Sequence, residues 1–311
     1  QMDRTNTTAY ITADQIDDLP VQDINDLIQL QAGVIIDQSG GIHIRGGRTD
    51  ELAYMVDGIP ITDQFSSAGG SLFSVEIGNV RELQIISGTF NAEYGQAQSG
   101  VINIITKDPG RQFSGHLALY GGDRFSKNLS TFPGIDELHP QNIQNFEGRI
   151  AGPLPFFNKI GIYLSGRYFS DANYLTGIQL ARPKDAWQIA AYDTWYRRKF
   201  PNDPAVWSGI IEIPDFLFTG DGKIVAMDPL KHLSLNAKFV NRPLPALRTS
   251  YSIFVENESG RDYDDNYRYT PDALKHVFNK FQMHTLSVNH TLSPRLFYSV
   301  DLSYSKSNKE A

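Results

Sequence analysis

Two rhythms of apolar and polar positions run along this 311-residue chain, and one gives way to the other near Lys107-Asp108-Pro109-Gly110. Before that point, short apolar runs such as Ala53-Tyr54-Met55-Val56, Ile59-Pro60-Ile61 and Val101 to Thr106 lie between glycine-bearing turns, as in a turn-dense β-rich unit. Asp57-Gly58 predicts a two-residue hairpin between the first two runs, because both central residues of such a turn need positive φ. Ahead of the strands, Thr12-Ala13-Asp14-Gln15 fits a capping box in which the Thr hydroxyl accepts an amide and the Gln side chain reaches back. A short helix is expected to start there and to stop before Pro20. Asp23 opens a second expected helix, with Ile24, Leu27 and Ile28 on one face and Gly33 just past its end.

From Phe113 onward the period is two. Leu233, Leu235, Ala237 and Phe239 alternate with Ser234, Asn236 and Lys238, and Tyr298, Val300, Leu302 and Tyr304 alternate with Ser299, Asp301 and Ser303. Seven strands are expected, near 113–120, 144–152, 160–170, 231–240, 246–258, 281–292 and 296–306. Their joints go long, short, long, short, long, short, and the short ones are rich in Pro. One apolar and one polar face suit a wall between lipid and a wet or filled lumen. A soluble sandwich gives the same alternation with the meaning of the faces reversed, so the period alone leaves both open.

Charge and aromatic content follow the same division. Residues 1–110 carry 5 Lys+Arg against 15 Asp+Glu, a net of −10, and residues 111–311 carry 23 against 20, a net of +3. Six of the 36 Phe, Tyr and Trp residues lie before residue 111, so the two regions differ in physical character as well as in period. No basic stripe is present to neutralise phosphates, which argues against a nucleic-acid partner. With no cysteine, disulfides and Cys-based zinc sites are excluded. No run of about 18 apolar residues occurs, which excludes a transmembrane helix and leaves a membrane β-barrel open.

Residues 41–47 (GIHIRGG), 54–60 (YMVDGIP) and 92–106 (AEYGQAQSGVINIIT), in that order, resemble the plug domain of TonB-dependent outer-membrane receptors. The entry segment ITADQIDDLP…DLIQLQAGV is similar to the family's as well. The resemblance implies an α+β plug domain over 1–110, followed by antiparallel transmembrane β-barrel strands over 111–311, a partial barrel of about seven strands. Plugged transporters have about 22 strands, so the chain is expected to be the N-terminal part of a receptor. The implied function is TonB-dependent active transport of a scarce or large nutrient across the bacterial outer membrane, with the plug gating the lumen. Implied partners are TonB, energised with ExbB and ExbD, through a TonB box expected upstream of Gln1; outer-membrane lipid; and an extracellular small-molecule, glycan or peptide substrate. The RGGRTDE and VDGIP forms also resemble receptors that often follow a carboxypeptidase-regulatory-like domain. The other class of reading is a non-transporting surface binding or adhesion protein with a β-rich module.

By the resemblance, Arg45, Arg48 and Glu93 are expected to make plug–barrel contacts. The loop holding Gln64, Phe65, Ser66 and Ser67 sits where the family's plug apex faces the outside, so these residues are candidates for touching substrate, with a plain flexible loop as the other reading. Trp187 and Trp195 lie in the long aromatic connection 171–230, where a short amphipathic helix is expected from Lys184 to Phe200; substrate capture and packing on neighbouring loops both fit them. Asp262, Asp264, Asp265 and Asn266 are rich in oxygen but lack the EF-hand pattern, and a solvated loop is the favoured reading over calcium. No catalytic motif appears among the seven scattered histidines or elsewhere, so no enzyme activity, cofactor or metal is expected.

Overall fold

A computed structural model of the chain describes residues 6–17, 19, 21, 23–37, 40–63, 70–88, 97–129, 132–155, 157–208 and 211–310. The N-terminal region holds β1 (Asn6–Thr12), α1 (Ala13–Asp17), α2 (Ile24–Gln29), β2 (Val34–Ile36), β3 (Ile42–Ile44), β4 (Leu52–Val56), β5 (Ile59–Pro60), β6 (Val80–Gly88) and β7 (Gly100–Thr106). Five of these strands form one sheet in the order β1-β6-β7-β4-β5, while β2 and β3 pair as a separate hairpin. Within the five-stranded sheet β4 runs parallel to β7, and the other pairs are antiparallel.

Local chemistry explains the element ends. Asp23 Oδ1 accepts from the amides of Asn25 (2.7 Å) and Asp26 (3.1 Å), and Asp26 Oδ2 accepts from the amide of Asp23, so α2 opens on a full capping box in which Asp stands for the usual Glu. At α1 the box is half made. Gln15 Oε1 accepts from the Thr12 amide at 3.0 Å, but the Thr12 hydroxyl donates to that same oxygen instead of accepting a free amide. The expected turn between β4 and β5 is present, with Asp57 at φ 50° and Gly58 at φ 85°, the left-handed pair that this hairpin requires. Leu27, Ile28, Leu52, Ile61, Leu83 and Ile102 form the centre of the core between helices and sheet, each no more than 1% exposed.

The second region is a meander of seven antiparallel strands in chain order: β8 (Ser114–Gly122), β9 (Ile143–Leu154), β10 (Phe157–Asp171), β13 (Leu230–Leu244), β14 (Leu247–Arg261), β15 (His276–Ser293) and β16 (Leu296–Glu310). The connection between β10 and β13 carries a two-stranded ribbon, β11 (Thr176–Ile178) with β12 (Ile224–Ala226), together with α3 (Ala186–Lys199) and α4 (Pro204–Ser208). Ala181, Ile189 and Ile213 give this connection a small core of its own.

Which face is buried separates a wall from a sandwich. Ser234, Asn236, Lys238, Ser250, Ser252 and Thr285 are buried, facing the N-terminal region, while Leu235, Phe239, Tyr251 and Leu286 are exposed on the other side. The sheet is inside-out by the standard of a soluble protein, as a lipid-facing wall around a polar lumen requires. No helix among the described residues is long and apolar enough to cross a membrane.

Candidate functional site

The parallel pairing of β4 with β7 sets one residue of the first region against the wall. Val56 lies opposite Ile104, so the turn after β4 comes level with the end of β7, and the Asp57 amide donates to the Ile104 carbonyl at 2.9 Å. The Asp57 carboxylate then accepts from the Thr106 amide (2.9 Å) and the Thr106 hydroxyl (2.6 Å). Lys238, from the polar face of β13, brings its ammonium to the same place. Its Nζ lies 3.1 Å from Asp57 Oδ2, 2.8 Å from Thr106 Oγ1 and 2.8 Å from Asp108 Oδ1. Three donors meet three acceptors, which offsets the cost of holding a polar side chain only 5% exposed.

Asp108 is shared with a second cation. Arg248 Nη2 from β14 lies 3.0 and 2.9 Å from its two carboxylate oxygens. Burial alone would push the Asp108 carboxyl up, but the nearby Lys238 and Arg248 outweigh it and hold the group below the ordinary carboxylate value.

A second contact is built by residues 71–79. Phe73 stacks on Phe281 of β15 with ring centroids 4.5 Å apart and also touches Phe254 of β14 at 5.3 Å. The Ser74 amide donates to Glu256 Oε2 at 3.1 Å. Glu76 accepts from Arg167 Nη1 of β10 at 2.8 Å and lies 3.4 Å from His232 Nδ1, whose other nitrogen meets Glu256 at 2.6 Å. Arg149 donates to the Gly78 carbonyl at 3.0 Å, and the Tyr163 hydroxyl donates to Asn79 Oδ1 at 3.0 Å.

The arrangement is a holding surface. Acids of the first region, Asp57, Glu76 and Asp108, meet cations of the wall, Lys238, Arg167 and Arg248, with one aromatic finger between the two clusters. Each hydrogen bond to a charged group here is worth a net of about 1.5–3 kcal/mol, far less than in an apolar medium, because water replaces it when it breaks. A joint of this kind is firm when every member is satisfied and separable when water enters.

Of the residues expected from sequence, Arg45, Arg48, Trp187 and Trp195 lie among the described residues. Arg45 and Arg48 are exposed. Arg45 sits in a turn at φ 51° and its amide donates to Gly33, and the Arg48 amide donates to Glu51 Oε2 at 3.0 Å; both of these bonds stay within the first region. Glu93, Gln64, Phe65, Ser66 and Ser67 lie outside the described residues. Trp187 and Trp195 both fall on α3, 67% and 47% exposed, so the expected helix forms but does not bury its tryptophans. Trp195 is 5.6 Å from the Tyr192 ring and carries the Lys199 ammonium 4.7 Å from its ring centre. Among the described residues no group of His, Asp or Glu is arranged to hold a metal; Asp264 instead caps the Asn266 amide at 3.0 Å. Sequence reasoning missed Lys238, Arg167, Arg248 and the second role of Asp57. The available signal was the cost of a lone lysine on an inward face between Asn236 and Val240, which demands a carboxylate partner.

Comparison with known proteins gives the setting. Residues 1–102 match the model of the TonB-dependent receptor plug domain. Over 135 residues the chain is 30% identical to the vitamin B12 transporter BtuB of Vibrio vulnificus, covering 40% of this chain and 22% of that protein. It is 29% identical over 122 residues to the TonB-dependent transporter Oar of Myxococcus xanthus, covering 37% of this chain and 11% of that one. The fold superimposes on the siderophore receptor PirA from Pseudomonas aeruginosa with a TM-score of 0.60 at 15% identity, over 100% of this chain and 44% of that one. The chain thus spans less than half the length of each of these relatives, two transporters and a receptor.

Proposed function

We propose that the chain is part of a TonB-dependent receptor of the outer membrane, as the plug-domain match over residues 1–102 and the similarity to a vitamin B12 transporter support, and that the protein takes up a scarce or large nutrient by active transport, with residues 1–110 as the plug and 111–311 as the first part of the barrel. TonB, energised by ExbB and ExbD, supplies the pull, and the plug yields to open the lumen. The observation that carries this reading is the plug–wall joint: acids on one side, cations on the other, saturated yet polar, so that a pull lets water replace the contacts. The neighbours named above include proteins of vitamin B12 and siderophore transport, which supports a small, scarce ligand. Gln64, Phe65, Ser66 and Ser67 of the plug, with Trp187 and Trp195 of the outer connection, are the proposed first contacts for it.

The test is ligand accumulation by cells carrying the whole receptor. Molecules retained by the purified receptor are identified by mass spectrometry, and the uptake of one of them is followed with and without TonB. Loss of accumulation without TonB, with surface binding kept, supports transport. Equal accumulation in both strains, or binding with no accumulation in either, points to an adhesion or binding protein.

A further inference from the structure

His232 differs from the other wall residues of the joint because each of its ring nitrogens faces a different carboxylate. It shares the inward face of β13 with Ser234, Asn236 and Lys238. Its Nε2 lies 2.6 Å from Glu256 Oε1 of β14, and its Nδ1 lies 3.4 Å from Glu76 Oε1 of the plug. All three side chains are mostly buried, at 11–12% exposed. A neutral imidazole has one N–H and one lone pair, whereas the imidazolium donates from both nitrogens. Only the charged ring therefore serves both carboxylates at once. The neutral ring turns a lone pair to one of them in a place that water reaches poorly.

Among the described residues, the charged groups around the ring are Glu76 from the plug, Glu256 and Glu258 from β14, and Arg167 from β10. Arg167 is already engaged by Glu76 Oε2 at 2.8 Å and by Asn145 Oδ1 at 2.7 Å. Glu256 Oε2 accepts from the Ser74 amide at 3.1 Å, and Glu258 Oε1 accepts from Asn279 at 3.0 Å. Three carboxylates thus face two cations while His232 is charged, and one cation when it is not. The proton decides whether Glu76 of the plug and Glu256 of the wall are joined or repel. Ser71 to Val75 of the same plug segment line a cavity of 440 Å³ together with Glu256, Glu258 and Phe281, so the state of the ring also sets one side of that space.

We propose that the proton on His232 is a latch, which when held ties the 71–79 segment of the plug to β13 and β14 and when lost frees that segment at Glu76. The latch rests on the reading of residues 1–110 as a plug that can part from the wall, and it does not depend on which ligand is carried. Because the double contact exists only with the charged ring, its share in holding the plug is present at low pH and lost as pH rises through the titration of the ring. The cluster of Asp57, Asp108, Lys238 and Arg248 contains no histidine and does not share this dependence. One anchor of the plug is thus set by pH while the other stays closed.

The test uses the whole receptor in detergent, with protease cleavage of the plug along a urea series as readout, repeated from about pH 5.5 to about pH 8.5. The urea midpoint is expected to fall across this range, and cleavage at fixed urea to become roughly tenfold faster, as loss of one hydrogen bond to a charged group implies. His232→Gln should lose this step and sit at the lower midpoint throughout. Glu76→Gln keeps the histidine but removes its plug partner, and should lose the step as well. His232→Lys, which carries a cation across the whole range, should remove the step without lowering the midpoint at pH 8.5. His43 pairs with Asp37 inside the plug at 3.0 Å, and His43→Gln should keep the step. A midpoint that does not change with pH in the unaltered receptor overturns the proposal, as does a step of unaltered size in His232→Gln or Glu76→Gln, or one that vanishes in His43→Gln. Ligand accumulation plays no part in the readout, so failure here leaves the transport reading standing, and loss of TonB-dependent accumulation leaves the latch standing.

Discussion

Lys238 Nζ on β13, the fourth strand of the wall, lies 3.1 Å from Asp57 Oδ2 in the tight turn between β4 and β5. One residue thereby serves two purposes, because Asp57 also adopts the positive φ that the turn demands. Lys238→Met removes the cation and leaves the Asp57 and Asp108 carboxylates facing each other in a half-buried place. Breaking a buried pair from one side costs about 3–5 kcal/mol. The plug of the whole receptor should therefore become protease-sensitive at distinctly lower urea than the wall. Asp57→Asn, which tolerates the turn geometry, should cost less than Asp57→Ala, and an equal loss in both would deny the turn its part.

Acid should loosen the same joint. The Asp108 carboxyl, for which burial is outweighed by Lys238 and Arg248, sits below its ordinary value in the folded state. Such a group contributes stability that is fully present above its unfolded pKa, about 3.9, and is lost as pH falls through the lower folded value. The urea midpoint for plug release is expected to lose this contribution only below about pH 4–5. In Asp108→Asn the midpoint should start lower and lack that part of the acid dependence. An identical acid limb in both proteins would assign it to other carboxylates.

Phe73 reaches into the wall where the surrounding contacts are polar. Its removal in Phe73→Ala loses a ring stacked on Phe281 and tilted on Phe254, a truncation worth about 3–5 kcal/mol in a packed site. Plug release should shift by an amount comparable to Lys238→Met. The two changes sit in separate clusters, so their effects should add within about 0.5 kcal/mol.

Trp187 is expected to behave in the opposite way. At 67% exposed it supports little of the fold, and Trp187→Ala should change stability by no more than about 0.5 kcal/mol. If it meets the ligand, accumulation at limiting ligand concentration falls while the thermal melt stays in place. Unchanged accumulation would leave Trp187 with no part in capture.

Much of the wall was legible in sequence, because strands of period two with Pro-rich short joints announce themselves. The seven expected ranges overlap the seven strands found, and the two-residue turn at Asp57-Gly58 forms as its φ requirement dictates. Face assignment needed the structure: Ser234, Asn236 and Lys238 suit either side of a sheet until something polar is seen to bury them. Lys238 called for a carboxylate, but which carboxylate meets it was illegible. Asp57 and Lys238 are 181 residues apart, and no local propensity encodes a contact at that range. Arg45 and Arg48, chosen by resemblance for plug–barrel contacts, are exposed, and that role stands as a proposal. The Thr12 hydroxyl gave its hydrogen bond to Gln15, leaving half of an expected cap unmade.

The placement of β1 at the edge of the plug sheet, paired only to β6, has a mechanical meaning. The chain enters the plug at β1 and leaves it at Thr106 to Asp108, where Lys238 and Arg248 grip it. Tension applied at the N-terminal end loads an outer seam of seven residues first, and that seam opens rung by rung. Expelling the plug whole would require both clusters on the wall to fail at once. Under the proposed pull, this placement favours progressive unravelling from β1 over ejection, with the grip at Asp108 as a point from which the domain can close again.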